Sequence, residues 1–458
     1  MALWLMVSAQ FLVILDFSIV NVALPTIQHA LGFSAVGVEG VITAYATAFG
    51  GALILGGRVA DLLGRRRMFA VGLTAFALTS LACALAATPA LLVVARAAQG
   101  LSAALLAPAA LALLTTTFAE GPARNRALGL FGAATAVGFV AGQVLGGVLT
   151  DVAGWPSIFL VNVPVGLLLA AASRVIPADA RAARRRVPDL AGAALVTAAM
   201  ALAVWAPTQG AEHGWLSAGF LVPIASALAL TAVFVVVETK RADPLMRLSM
   251  LRSAWMAGTC GTTAITGALN GAVVLLCTLF LQHVRDYSPL QAGFAFVPTG
   301  LAGLAAGTRL AGPLVTRFGV RTVLTSALLV SALGIGGLSL LPAGYLPLLP
   351  WLIVIGVGFT TAAVATTIAV STGVAPAEQG MAAALRQTAF QLGVAISVAV
   401  LLSIAAAHTT ALRSGANPLS TSDALAAGYR VALVVAAGLA LAGAVLTVST
   451  LRPHGARG

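Results

Sequence analysis

Polar positions along this chain are rare and bunched, and the stretches between them are long. About fourteen apolar runs recur from end to end. The first six are Trp4–Ile27, Val38–Gly57, Met68–Ala87, Leu91–Phe118, Ala127–Thr150 and Ile158–Arg174. Two more, Leu190–Pro207 and Ser217–Val237, lie between basic connectors at Val175–Asp189 and Glu238–Arg252. The last six are Trp255–Leu281, Gly293–Leu314, Val320–Leu341, Leu348–Ser371, Met381–Ala406 and Ala426–Leu451. A bilayer's hydrocarbon core is ~30 Å thick and takes ~20 helical residues to cross, so each run is predicted as a spanning helix. The expected fold is an all-α membrane protein. Residues 1–174 form one six-helix unit, 175–252 hold the connectors and two middle helices, and 253–458 form a second six-helix unit with a short tail.

Composition agrees with this pattern. The chain is 60% hydrophobic and 8% charged, where soluble domains carry roughly 25% charged residues. The balance of 25 basic and 13 acidic residues gives +12, which in a soluble chain would suggest nucleic acid. Here the arginines stand in short segments between runs, such as Arg65-Arg66-Arg67 and Arg184-Arg185-Arg186. No aromatic residues are interleaved to stack bases, so the partner read from this charge is the lipid bilayer and not a nucleic acid.

Alternate connectors carry the basic residues. Arg58, Arg65, Arg66, Arg67, Arg124, Arg126, Arg181, Arg184, Arg185, Arg186, Lys240, Arg241, Arg247, Arg252, Arg317, Arg321 and, in the tail, Arg452 and Arg457 fall on one side, while the other holds Arg285, Arg413 and Arg430. The positive-inside rule then places both termini in the cytoplasm. The first run lacks a basic leader and a small-residue cleavage site, and reads as a retained helix. Heavy use of arginine over lysine, with abundant Ala and Gly, points to a GC-rich bacterial source. Cys83, Cys260 and Cys277 all sit inside apolar runs and are read as free core residues. No metal-ligand spacing and no phosphate-binding loop occur, so no cofactor, no ATP hydrolysis and no enzymatic chemistry are expected.

Two charges interrupt the runs. Asp16 lies deep in the first and Arg96 deep in the fourth, at comparable depths for a rise of ~1.5 Å per residue. An ionised carboxylate at mid-membrane costs ~2.5–3.5 kcal/mol even on lenient scales, so such groups face protein or water. Asp16 is therefore read either as a group that takes up and releases a proton in a cavity, or as a hydrogen-bonding partner between helices. Arg96 is expected to couple to it, directly or through water, with outward snorkelling as the alternative. Asn21, Gln99, Gln143 and Arg386 are further polar residues expected at a substrate cavity, Asn21 being equally readable as a helix–helix contact. Glu238 and Glu378 are read as solvated or loop-pairing groups, and the five histidines as exposed.

The segment Gly57-Arg58-Val59-Ala60-Asp61-Leu62-Leu63-Gly64-Arg65-Arg66 has an echo in Gly312-Pro313-Leu314-Val315-Thr316-Arg317-Phe318-Gly319-Val320-Arg321, each between the second and third helices of its half. Parallel repeats of this kind accompany two related halves flanking a substrate path.

Four segments together carry a resemblance to the major facilitator superfamily, in particular its fourteen-helix drug:proton antiporters. Leu15 to Pro25 resembles that family's first-helix motif, and Gly57 to Arg67 the superfamily's cytoplasmic loop. Leu92 to Gly100, with Arg96, resembles the fourth-helix motif. Gly129, Gly138, Gly142, Gly146 and Gly147 match its glycine-rich fifth helix, with Gln143 where proline is usual. Trp155 to Pro164 resembles the junction that follows, with Pro156 and Ser157 in place of Arg-Trp. The resemblance implies two pseudo-symmetric six-helix bundles plus two inserted helices. It implies a monomeric proton-coupled exporter of hydrophobic drugs or metabolites, the alternative being a symporter or facilitator importing a small polar metabolite. Asp16 and Arg96 would couple protons. Gly57, Asp61, Gly64, Arg65 and Arg66 would latch the halves, and the five glycines would let the fifth helix bend.

Overall fold

The computed structural model describes residues 2–33, 38, 40–176, 190–240, 253–340, 344–372, 374–375, 378–414 and 419–451. Arg181, Arg184, Arg185, Arg186, Arg241, Arg247, Arg252 and the tail arginines lie outside them. The described residues are helical nearly throughout, as the bilayer demands, because only a helix or a closed barrel satisfies its own backbone hydrogen bonds in oil.

The first half comprises α1 (Ala2–Leu31), α2 (Gly40–Leu63), α3 (Arg65–Ala84), α4 (Pro89–Thr117), α5 (Pro122–Ala153) and a sixth span made of α6 (Ser157–Leu160) and α7 (Asn162–Ala172). The middle pair is α8 (Leu190–His213) and α9 (Ala218–Lys240). The second half begins with α10 (Ala254–His283), followed by α11 (Pro289–Ala295) and α12 (Val297–Ala305). A π-helical turn at Ala306–Ala311 leads into α13 (Gly312–Leu338), α14 (Tyr345–Ser371), α15 (Gln379–Ser414) and α16 (Thr421–Thr450).

Local chemistry explains several starts. The Thr88 hydroxyl accepts the Leu91 N–H and Pro89 follows at the first helical position of α4, where its missing donor and fixed φ suit the helix. Ser288 and Gln291 form a reciprocal capping box on α11, and Ser420 caps α16.

Among the described residues twelve stretches are long and apolar enough to cross a membrane. One of these, Gln291–Leu338, is 48 residues long and breaks into two rods at Gly319, whose φ of 79° is left-handed. The helix α8, with a shorter apolar stretch at Ala194–Pro207, adds another rod, which makes fourteen.

The two halves use the same pairings. α1 packs on α5 as α10 packs on α15, and α2 and α3 pack on α4 as α12 and α13 pack on α14. Glycine makes the first of these approaches possible. A Cβ at Gly138 would lie 2.9 Å from the Phe11 carbonyl, one at Gly146 would lie 2.7 Å from that of Ile19, and one at Gly142 would collide with the Ser18 hydroxyl. In the second half Gly393 meets the Ala264 carbonyl in the same way.

Contacts between the halves run through α2 and α4 against α15 and through α5 against α11, α12, the π turn, α13 and α14. The inserted α8 leans on both α2 and α15. α5 is continuous from Pro122 to Ala153, and Gln143 keeps the backbone donor that proline would remove. Its glycines make close approaches, Gly129 to Gly307 of the second half and the others named above to α1.

Candidate functional site

Asp16 and Arg96 meet. Arg96 Nη1 donates to Asp16 Oδ2 at 2.9 Å, and the two residues are 0% and 1% exposed. Three further helices complete the site. Gln99, one turn beyond Arg96 on α4, donates to Asp16 Oδ1 at 2.8 Å and to Ser80 of α3 at 2.7 Å. Asn162, which opens α7, donates to the same Oδ1 at 2.6 Å. Arg96 spends its other contacts on Gln99 Oε1 (2.6 Å) and the Val41 carbonyl of α2 (3.1 Å). Its guanidinium lies 4.3 Å from the centre of the Tyr45 ring, a cation–π geometry that steadies a desolvated charge. Tyr45 in turn stacks with Phe49 and tilts against Phe17.

The helical periods explain the convergence. Arg96 and Gln99 are three residues apart and so share a face. On α1, Asp16 points to α4 and α7 while Ser18, two residues on, points across to α5, where its hydroxyl donates to the Phe139 carbonyl at 2.9 Å.

Asp16 is enclosed in this structure: its polar partners all belong to the first half, and Tyr45 and Phe159 close over Arg96. Gln99, expected at a substrate cavity, is fully buried in this cluster. The cluster is also larger than the expected Asp16–Arg96 pair, since Asn162, Tyr45 and Ser80 belong to it. Asn162 and Tyr45 were findable, being polar side chains inside apolar runs. The contact of Ser80 with Gln99 follows from helix rotation alone.

Polar residues at the junction of the halves sit elsewhere. Gln10 of α1, Pro108 of α4, Phe131 of α5 and Arg386 and Gln387 of α15 surround a space of about 10 Å³, room for roughly one water. Gln10 donates to Thr135 at 3.0 Å, and Arg386 Nη2 to Gln387 at 2.7 Å. Arg386 Nε is buried without a hydrogen-bond partner. Asn21 is half-buried and lies eleven positions beyond Gln10, on the same stripe of α1. Gln143 is half-buried on α5, and a Cβ at Gly293 of α11 would sit 3.5 Å from its Cβ.

At the arginine-rich end the halves are shut. Asp61 accepts the N–H groups of Gly380 (3.2 Å) and Met381 (3.1 Å) at the start of α15, where a helix dipole favours an anion. Arg65 holds the same carboxylate at 2.8 Å. Gly57 packs on the Gly380 carbonyl, and Gly64 turns the chain with φ 97°. Arg66, expected in this latch, faces instead a groove between α3 and α7. On α5, Arg124 reaches the Ser371 carbonyl of the second half at 3.0 Å. Of the two readings of Glu238, solvated or loop-pairing, its 3% exposure speaks against the first. Among the described residues no His, Cys, Asp or Glu cluster could hold a metal.

Comparison with known proteins agrees with this architecture. The family model described as Major Facilitator Superfamily matches residues 6–398. The puromycin resistance protein pur8 of Streptomyces alboniger is 39% identical over 447 residues, covering 96% of this chain and 88% of that protein. The cephamycin export protein CmcT of Amycolatopsis lactamdurans is 40% identical over 456 residues, covering 97% and 91%. The crystal structure of the human organic anion transporter MFSD10 (TETRAN) superposes with a TM-score of 0.72 at 16% identity, covering 97% of this chain and 98% of that one, and so shares the fold. With its repeated helix pairings, its spanning rods and relatives matched over nearly their full length, the chain is a multi-pass membrane protein belonging to the Major Facilitator Superfamily.

Proposed function

We propose that the chain is a proton-coupled exporter of hydrophobic drugs or related metabolites, working by alternating access. The observation that carries the reading is the enclosed Asp16–Arg96 pair. Ionised, the pair is neutral as a unit and stable in a dry bundle. A proton on Asp16 removes the counter-charge and leaves Arg96 cationic and buried, and breaking such a pair from one side costs about 3–5 kcal/mol. Any rearrangement that brings Arg96 water or another acceptor relieves this, so proton uptake biases the two states of the transporter. Asn162 suits both protonation states. Its Oδ1 is buried without a partner, and rotating the amide by half a turn presents that oxygen to the hydroxyl of a protonated Asp16.

Export is favoured by two relatives, one a puromycin resistance protein and one a cephamycin export protein. Substrate would pass between residues 1–174 and 253–458, along the stripe of Gln10 and Asn21 and past Gln143 and Arg386, once the halves part. The inserted α8, packed on α2 and α15, would stand beside this path. The arginine asymmetry supports a bacterial cytoplasmic membrane with both termini inside. The proposed protein acts as a monomer and carries out transport without catalytic chemistry.

The test is transport in proteoliposomes under an imposed proton gradient, with a panel of antibiotics that includes puromycin. Gradient-dependent movement of at least one compound against its own gradient is expected. Movement indifferent to the proton gradient removes the coupling. Gradient-driven import of a small polar metabolite, with no antibiotic moved, favours a symporter.

A further inference from the structure

Between the start of α3 and the end of α7, on the outer flank of the first half, lies a groove of about 670 Å³. The two helices touch at Gly166, where a Cβ would sit 3.1 Å from that of Ala77. The groove lies beyond this contact, toward the arginine-rich end of both helices. Three guanidinium groups line it: Arg66 and Arg67 from the first turn of α3, and Arg174 from the turn that follows α7. None of its lining residues is acidic, and among the described residues no carboxylate pairs with any of the three. The walls are apolar, with Val71, Leu167 and Ala170 facing one another. Val71 and Leu167 are both 43% exposed.

We infer that this groove is a binding site for an anionic phospholipid, its phosphate held by Arg67 and Arg174 with Arg66 behind them and its acyl chains laid along Val71 and Leu167. Three features point to one occupant. A compact cluster of like charges at the membrane surface calls for an anion. Guanidinium groups match phosphate oxygens by paired hydrogen bonds. An apolar wall running from the cluster toward the membrane interior fits an acyl chain and not a soluble phosphate. Basic pockets between helices at the cytoplasmic face are recognised in this way. The groove also begins at Leu63 and Gly64, the turn after Asp61, so an occupied site would brace the loop that carries the contact with α15. The inference goes beyond the transport reading, and its measurement does not involve transport.

Native mass spectrometry of the full-length, delipidated protein decides it, with palmitoyl-oleoyl phosphatidylglycerol or phosphatidylcholine added back. Phosphatidylglycerol should be retained in preference. The double variant Arg67→Gln/Arg174→Gln should weaken its binding roughly 30-fold, the product of two surface arginines. Ala70→Trp, which fills the groove and leaves every charge in place, should also displace the lipid, and this variant decides the matter if the charge variant does not fold. Equal retention of the two lipids overturns the site. Retention unchanged in either variant, or full displacement by inorganic phosphate, does so as well.

Discussion

Asn125 on α5 donates its side-chain amide to Thr316 Oγ1 on α13 across 2.9 Å, joining the two halves at the position that corresponds, in the repeated loop, to Asp61. The equivalence extends to the backbone. Gly64 has φ 97° and Gly319 has φ 79°, both in the left-handed region that favours glycine. Each loop therefore contributes one polar group to the opposite half, a carboxylate in the first and a hydroxyl in the second. The carboxylate makes the stronger contact, because charge-assisted hydrogen bonds are worth about twice neutral ones.

Weakening this end should shift the transporter toward the state that is open there. Asp61→Asn loses charge-assisted bonds worth about 1.5–3 kcal/mol each, enough to change the population ratio by tenfold or more. The readout is maleimide labelling of Ala384→Cys, which is buried beneath Gly57 in the closed end, in a background without the three native cysteines. Labelling should rise at least tenfold with Asp61→Asn and less with Asn125→Ala. Unchanged labelling in both removes the latch.

Asp16→Asn should abolish gradient-driven transport while leaving the protein in the membrane. Asparagine keeps the shape but cannot exchange a proton. Transport assays on purified variant in liposomes, with membrane content checked by immunoblot, give the answer. Coupled transport that persists at the wild-type rate excludes Asp16 as the carrier.

The ion pair predicts a marked departure from additivity in thermal stability. Asp16→Asn or Arg96→Gln alone leaves a buried charge uncompensated, at about 3–5 kcal/mol. The double variant removes both charges and should be more stable than the sum of the single losses by about 1–3 kcal/mol. Unfolding midpoints in detergent for the four proteins measure this coupling, and simple additivity contradicts the 2.9 Å pair.

Two glycine substitutions should act in opposite directions. Gly142→Ala drives a methyl group into Ser18 and the Leu15 carbonyl, and overpacking of this kind costs about 1–3 kcal/mol. Gly438→Ala in α16 meets nothing within 4 Å and should stabilise by about 0.4–1 kcal/mol by restricting the unfolded chain. Paired melting curves test both, and equal shifts of one sign contradict the packing of α1 on α5.

The helical class, the approximate position of each span, the repeated loop and the two embedded charges were legible in the chain itself. Each depends on a local rule: the length of apolar run a bilayer requires, the scarcity of charge within it, and the residue types a tight turn accepts. Which way each helix faces was decided only by the tertiary structure. Gln99 lies three residues from Arg96 and from sequence could line a cavity, yet the rotation of α4 turns it inward onto Asp16 and Ser80. Asn162 joins Asp16 from 146 positions away, and Arg65 reaches Asp61 while Arg66 lines the groove beside α7 because neighbours on a helix point about 100° apart. The glycines of α5 carried a signal for special backbone geometry without saying whether it was a bend or a close approach. That distinction rests on what stands opposite each of them, which is fixed only when α1 and the π turn before α13 are in place.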